Sequence, residues 1–572
     1  MAIKCGEKKW RERKKLLRRL RKKPSDNEIK NDVRLIKSAI LTRMSKDKAA
    51  YFNNRFDPTH GSKSIWKNLN KLLGKRNDGE IKRIVSHNLT TLTEPNDIAT
   101  HSIQFCVDKC NELAREAELR ASSTNQSDNP CHVESTMHLS TPSEAEIAKI
   151  IASNPPKMST GVDGISMFAV KRLAPSLISP ITKLVAKCFE TGIFPSAFKL
   201  AKAVPIFRDG VKDDAANCRL VSVLSPLNRI IEKAVARRIT SFPDKNNSSN
   251  KNSMDTERKS EQQWLLQSWW TVHIKRSMTV ESPLVFSRAF DCLDHERLLA
   301  KLHHAGIRGP CSKLCRSYLE GCEQVVSLNG VVGQAISMSK GVPQGSVLGP
   351  LFLLIYVNDI MKIGMKGKLW ASADDTTLTY GDKNVENNID ELQSDVRLLQ
   401  QYSDKNPLTI NPRKTLYVHF CSPNNMVPSH PTVTLNETVI ERAFHVKFLG
   451  ITSDSKLNWR PHMENLRKQL ASVLGRLFAI RKTVPYHAKT AIYNALFYSR
   501  LIHGMEAWDG ASTHTIVSSS GTAIMQQRHA WTSTQQCIPV VLPVTRFHLP
   551  TINRPSSFPR NDHEPQHVSA IR

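Results

Sequence analysis

No stretch of this sequence is long and apolar enough to suggest a membrane span. Its longest apolar runs, such as Leu351–Tyr356, fall far short of the roughly 20 residues a spanning helix needs. The N-terminus opens MAIKCGEKKW and turns cationic at once, without the apolar core of a secretory signal. Twelve cysteines are scattered with no disulfide-like framework, the usage of a reducing compartment. These features lead to the expectation of an intracellular protein, compatible with the nucleus and with a cytoplasmic ribonucleoprotein. Acids are scarce relative to bases: 52 Asp and Glu stand against 81 Lys and Arg, a net charge of +29, and the pI is near 9.7. Such a field draws in polyanions, so nucleic acid is the expected partner. An anionic membrane is disfavoured because no sustained basic amphipathic helix carries large aromatic anchors.

Two cysteine pairs, Cys106/Cys110 and Cys311/Cys315, each share a helix face by spacing. Neither has the closer pairing and second pair or histidines of a zinc site, so they read as small buried or half-buried thiols. Residues 8–23, KKWRERKKLLRRLRKK, interleave Leu16, Leu17 and Leu20 with dense positive charge. The run is either a nucleic-acid arm or import address, or the solvated face of a packed helix. Residues 1–120 read as a basic helical segment and 121–140 as a polar linker. Ser143, with Glu146 three residues on, opens a helix. From 141 to about 460, apolar segments alternate with Gly and Pro punctuation, predicting an α+β domain with a largely antiparallel sheet. Residues 461–510 read as helices, with Leu466, Leu470, Leu474 and Leu477 at helical spacing. Residues 244–262 and 511–572 read as disordered.

The sharpest chemical signal is ASADDTTLTY at 371–380. Asp374 and Asp375 lie between β-prone segments, Lys368–Ser372 and Thr377–Tyr380, and a hairpin holding them at its tip offers the oxygen ligands magnesium prefers. About thirty residues upstream stands GVPQGSVLGPLFLLIYVNDI (341–360), in which Gly341 and Gly345 permit close backbone approach and an apolar run predicts a buried helix. This block closely resembles the motif lining the nucleotide and template site in reverse transcriptases of non-long-terminal-repeat (LINE-type, jockey-like) retrotransposons.

Other blocks follow in that family's order. The segments 161–177, 192–210 and 217–239 resemble its fingers, and the resemblance implies Arg208 and Arg219 near the incoming triphosphate, where guanidinium pairs with phosphate. Phe290 matches its aromatic gate against a ribose 2′-hydroxyl. Gly341, Gln344, Gly345 and Ser346 match its nucleotide-site loop. Lys414, in NPLTINPRKTLYVHF (406–420), matches a proposed proton donor to pyrophosphate, and 446–463 resembles the primer grip. The likeness covers roughly residues 30–510, with gaps. It implies a right-hand polymerase with fingers, a palm on an antiparallel sheet and a partial helical thumb, behind a basic connector. It further implies an RNA template, a DNA primer, deoxynucleoside triphosphates, and two Mg2+ ions for which Mn2+ substitutes. No endonuclease is expected ahead of residue 30 and no ribonuclease after the thumb.

The copy departs from the pattern in several places. In LVFSRAFDCLDHERLLAKL (284–302) the family reads Leu-Asp-Phe-Ser-Arg-Ala-Phe-Asp, its first Asp being a metal ligand, and here that position is Val285. Asp291 matches the second Asp. It lies six residues on, roughly 9 Å at helical rise, too far for an oxygen needed at about 2.1 Å. Asp294 reads as the cap of the following helix. Leu220 stands for a usual Pro, Ser372 for a usual Phe or Tyr, and the family segment expected in 241–283 is missing. A frame-shifted or misread gene copy accounts for such losses, and the resemblance implies either a damaged polymerase or an inactive nucleic-acid-binding relic.

Overall fold

The computed structural model describes residues 7–508 except 58, 60, 74–82, 86–89, 122–132, 208–209, 212, 246–278, 373–374, 383, 422–431 and 481–483. All lie in the first of two compact units, Met1–Ser520. Arg208, Asp374, most of 244–262 and the segment 511–572 fall outside the described residues.

Four helices come first: α1 (Glu7–Lys22), α2 (Asn27–Arg55), α3 (Gly61–Leu72) and α4 (Pro95–Ala121). Asp26 caps α2 by accepting from the amides of Glu28 and Ile29 at 3.1 and 3.2 Å, satisfying donors a helix start leaves open. On α1, Leu16, Leu17 and Leu20 are half-buried while Lys14, Lys15, Arg18 and Arg19 are exposed. Residues 121–140, read as a linker, are described from Val133 onward. There they dock: Val133 and Met137 donate backbone bonds to His304 and Gly306 at 3.0 and 2.9 Å, and Met137 is buried.

Next come α5 (Glu144–Ser153), α6 (Met167–Arg172) and α7 (Ala174–Thr191). Ser143 caps α5 as its sequence signature predicts, accepting from the Glu146 amide at 3.2 Å. Strands β1 (Leu200–Phe207) and β2 (Cys218–Val223) form an antiparallel pair, and α8 (Pro226–Lys245) follows. The chain then runs through β3 (Thr279–Ser287), the short α9 (Ala289–Cys292), α10 (His295–His304) and α11 (Pro310–Leu319). Asp294 caps α10, accepting from the Arg297 amide at 2.9 Å. Strand β4 (Glu323–Leu328) returns to lie parallel to β1. Thus the first sheet, ordered β2-β1-β4 and extended by Val331–Val332, is mixed, because the β4 connection crosses over through helices instead of a hairpin.

The second sheet is assembled by the remaining chain: α12 (Leu348–Val357), the hairpin β5 (Lys368–Ser372) and β6 (Asp375–Tyr380), α13 (Val385–Lys405) and β7 (Leu416–Phe420). Its order is Glu441–Arg442, β7, β3, β6, β5, with Thr409–Ile410 also paired to β3. Every pairing to β3 is antiparallel, as the alternating segments suggested. The hairpin β8 (His445–Phe448) and β9 (Ile451–Asp454) leads into α14 (Arg460–Ile480), whose Leu466, Leu470, Leu474 and Leu477 are buried. One apolar cluster joins α8, α10, α11, α12 and α13 to the second sheet through Ile231, Leu302, Leu314, Phe352, Tyr356 and Leu392. Full burial of each such side chain stabilises by about 1.5–3 kcal/mol.

Candidate active site

Strand β3 is the axis of the site. It ends at Ser287, and Arg288 turns the chain with a left-handed φ of 48°, so that Ala289–Cys292 makes one helical turn. On one side β3 pairs with β6 in a register that sets Val285 opposite Asp375, which is in turn opposite Ser372 on β5. Strand β6 begins at Asp375, earlier than the Thr377 that the sequence suggested. Residues directly opposite in an antiparallel pair share a sheet face with Cβ atoms roughly 5 Å apart. On the other side of β3, the Asn411 amide donates to the Val285 carbonyl at 2.8 Å. Asn411 also accepts from the Lys414 amide through its side chain at 3.2 Å, so the turn bearing the exposed Lys414 is tied to the same residue.

The loop 341–347 is fastened to the turn after β3. The Val342 amide donates to the Phe290 carbonyl at 2.8 Å and the Gly341 amide to the Leu293 carbonyl at 2.7 Å. His295 Nε2 lies 2.7 Å from the Gly341 carbonyl. Gly341 is required: its φ is +79°, and a Cβ there would sit 2.4 Å from the Asp291 carbonyl oxygen. Gln344 Nε2 donates to Asp291 Oδ1 at 2.6 Å. At the far end the loop holds the first sheet, where the Ser222 amide donates to the Gln344 carbonyl at 2.7 Å. Gly345, at φ +113°, has no room for a Cβ against the Ser222 carbonyl. One loop thus joins the two sheets.

Asp291 is the hub of this junction. Burial pushes its carboxyl pKa up, against the opposing pull of Gln344, Arg288 and Arg219. Arg288 lies 3.7 Å from Asp291, donates to Cys106 Sγ at 3.2 Å and covers the Phe105 ring at 5.4 Å, which fixes α4 to the turn. Helix α4 also packs Ala99 and Ile103 on Ala203, Leu220 and Val326 of the first sheet, and its Arg120 pairs with Asp404 at 2.7 Å. Leu220, where the family usually has Pro, fills that helix–sheet contact. A small cavity of about 40 Å3 lies between α4 and the loop, lined by Ile103, Cys106, Leu220, Asp291, Gly341 and Gln344 among others.

The structure therefore brings together Phe290, Gly341, Gln344, Gly345 and the buried Ser346. It places Arg219, exposed on β2, within electrostatic reach of Asp291. Phe290 is half-buried and packed against the main core. Arg208 and Asp374 lie outside the described residues. The cysteines of the two spaced pairs sit on α4 and α11, Cys106 half-buried and Cys110, Cys311 and Cys315 buried.

Sequence reading treated Asp291 only as a failed substitute ligand and missed its bond to Gln344. It also missed several buried acids, Asp395 and Glu232 among them. Asp395, on the apolar stripe of α13 with Leu392 and Leu399, is fully buried and accepts from the Lys366 and Gly367 amides and the Tyr380 hydroxyl at 3.1, 2.8 and 2.9 Å. It braces the β5–β6 hairpin. Glu232 lies on the buried face of α8 among Ile231, Val235 and Ile239. An acid at such a position is the available signal, since buried carboxylates need partners.

A two-ion centre uses carboxylates to hold two ions about 4 Å apart, and on β3 the position facing Asp375 is occupied by valine, which supplies no ligand atom. Among the described residues, no group of three or more His, Cys, Asp or Glu is placed to hold a metal ion.

Residues 211–453 match the family described as Reverse transcriptase (RNA-dependent DNA polymerase). The curated relatives that the chain resembles are RNA-directed DNA polymerases of mobile elements. The chain is 25% identical over 390 residues to a probable RNA-directed DNA polymerase from transposon BS of Drosophila melanogaster, covering 64% of this chain and 42% of that one. It is 26% identical over 403 residues to the RNA-directed DNA polymerase from mobile element jockey of the same organism, covering 66% and 43%. The chain thus spans well under half the length of these relatives. Among solved structures, apo telomerase from Candida Tropicalis truncated from its C-terminal domain aligns over 51% of this chain and 60% of its own, at 12% identity and a TM-score of 0.33.

Proposed function

We propose that this chain is a right-hand polymerase domain of a LINE-type retrotransposon that retains a template–primer and nucleotide cleft but has lost efficient nucleotidyl transfer. In this reading the second sheet is the palm, the first sheet with α5–α8 the fingers, and α14 with the helices after it a partial thumb. The observation that carries it is the β3–β6 register, Val285 opposite Asp375.

Each remaining residue has a role on its own chemistry. Arg219, and Arg208 beyond β1, would pair with the phosphates of an incoming deoxynucleoside triphosphate. Phe290, whose carbonyl is tied to the 341–347 loop, would bar a 2′-hydroxyl. The Gln344 carboxamide, held by Asp291, would orient the nucleotide. Lys414, tethered through Asn411 to β3, would donate a proton to the leaving pyrophosphate. In the intact family the primer 3′-hydroxyl attacks the α-phosphate with Mg2+ held by the acidic residues.

The net charge of +29 supports retained polyanion binding. The test measures binding and extension on the same RNA–DNA hybrid. Binding should weaken steeply with salt, because bound cationic side chains release counterions, while extension with Mg2+ or Mn2+ should not exceed that of a variant with Asp374 and Asp375 both changed to Ala. Extension well above that control would show an active enzyme and remove the proposal.

A further inference from the structure

The buried Glu232 is unused by this account of the cleft. Its side chain is fully shielded from water and lies where three elements meet. From α11, the Tyr318 hydroxyl donates to Oε1 at 2.7 Å. From the loop before α12, the Val347 amide donates to Oε2 at 2.7 Å. One turn earlier on α8, Arg229 donates to the Gly345 carbonyl at 3.2 Å. Helix α12 has no capping side chain on Val347. Ser346 Oγ accepts from the Gly349 amide at 2.9 Å, and Glu232 takes the Val347 amide from across the fold. A carboxylate there meets the positive end of the α12 dipole.

We propose that Glu232 is a positioning residue, which pins Ser346 and Val347 and thereby holds the Gly345 turn and the Gln344 carboxamide in the cleft. The nucleotide-orienting part rests on the polymerase reading, whereas the pinning of the loop does not. The Tyr318 hydroxyl and the Val347 amide both donate to the carboxylate, so the bonds that hold the loop depend on the charge state of Glu232. Burial pushes the Glu232 carboxyl up to about 7, opposed by Tyr318, Val347 and Arg229. The other titratable neighbours are Tyr318 and Cys322, both with raised values, so neither changes charge near neutrality. From the loop, the Val347 amide faces the carboxyl.

Amide hydrogen exchange on the full chain tests the assignment. Glu232→Ala should speed exchange across 341–347 about tenfold or more, while β3 and β7 change less than about threefold. Glu232→Gln keeps an acceptor for Val347 and should remain close to the unsubstituted chain. After correction for intrinsic rates, loop exchange in the unsubstituted chain should vary between pH 6 and 8, and in Glu232→Gln it should be flat. Should Glu232→Ala fail to fold, the comparison of pH profiles decides alone. Parallel profiles, or an acceleration spread evenly over the protein, would overturn the assignment. Exchange reads the loop whether or not the chain polymerises, so a silent loop sinks this proposal and leaves the polymerase reading standing.

Discussion

Val285 and Asp375 are register partners on adjacent antiparallel strands at the centre of the second sheet. The chain thereby places an aliphatic side chain beside the one position of the acidic turn whose backbone is described. In the proposed reading the lesion is the side chain at 285, since the β3–β6 register pairs without interruption from Asp375 to Tyr380.

Restoring the carboxylate should make the protein's stability metal-dependent. Val285→Asp brings a like charge next to Asp375, which is unfavourable until a cation binds. Its Tm in EDTA should fall below that of the unsubstituted chain by roughly 1 °C for each kcal/mol of repulsion in a unit of this size, and recover with millimolar Mg2+. Equal Mg2+ responses in both chains would contradict the inferred proximity of the three acidic positions.

The Gly341 contact makes a steric prediction. An alanine Cβ would lie 2.4 Å from the Asp291 carbonyl oxygen, on a backbone at φ +79°. Gly341→Ala should therefore destabilise by about 2 kcal/mol or more, as incompatible substitutions at positive φ do. It should also loosen Gln344 from Asp291. Denaturant unfolding measures the first effect, and a loss below about 0.5 kcal/mol would show that the loop is not docked as described.

Glu232 makes a prediction about stability and pH. Its folded-state value of about 7 lies above the ordinary 4.5, so the native state binds more protons than the unfolded chain between those limits. That contribution is fully present below pH 4.5 and is lost as pH rises through 7. The unsubstituted chain should thus lose about 2–3 kcal/mol relative to Glu232→Gln between pH 5 and pH 8. A pH-independent difference between the two would mean that Glu232 does not titrate in this range.

Asp395 accepts three hydrogen bonds while fully buried. Asp395→Ala leaves two amides and a tyrosine hydroxyl without an acceptor and should cost about 3 kcal/mol or more. Tyr380→Phe removes only one donor and should cost about 1 kcal/mol. Similar losses in the two variants would show that the amides find other acceptors.

Local features were legible in the sequence because their signals are local. Ser143 and Asp294 cap their helices, the leucines of α14 share a buried face, and the hairpin around the acidic turn pairs as its β-prone flanks suggest. The bonds that shape the cleft were not legible. Gln344 reaches Asp291 across 53 positions, Tyr318 reaches Glu232 across 86 and Val347 reaches it across 115, and no periodicity encodes such partners. Glu232 and Asp395 did leave a trace, an acid on an otherwise apolar helix stripe, but a trace without a partner does not say what it holds. The mixed order of the first sheet was hidden for a similar reason, because β4 joins β1 across more than a hundred residues.

The most direct test is primer extension by Val285→Asp beside the unsubstituted chain and the Asp374, Asp375 double alanine variant, on one RNA template with Mg2+. A shared metal ligand contributes several kcal/mol to the transition state, and each 1.36 kcal/mol is about tenfold in rate. Val285→Asp should therefore extend about 10³-fold faster than the unsubstituted chain, which should match the double variant. Extension by the unsubstituted chain at a rate similar to Val285→Asp would contradict the account.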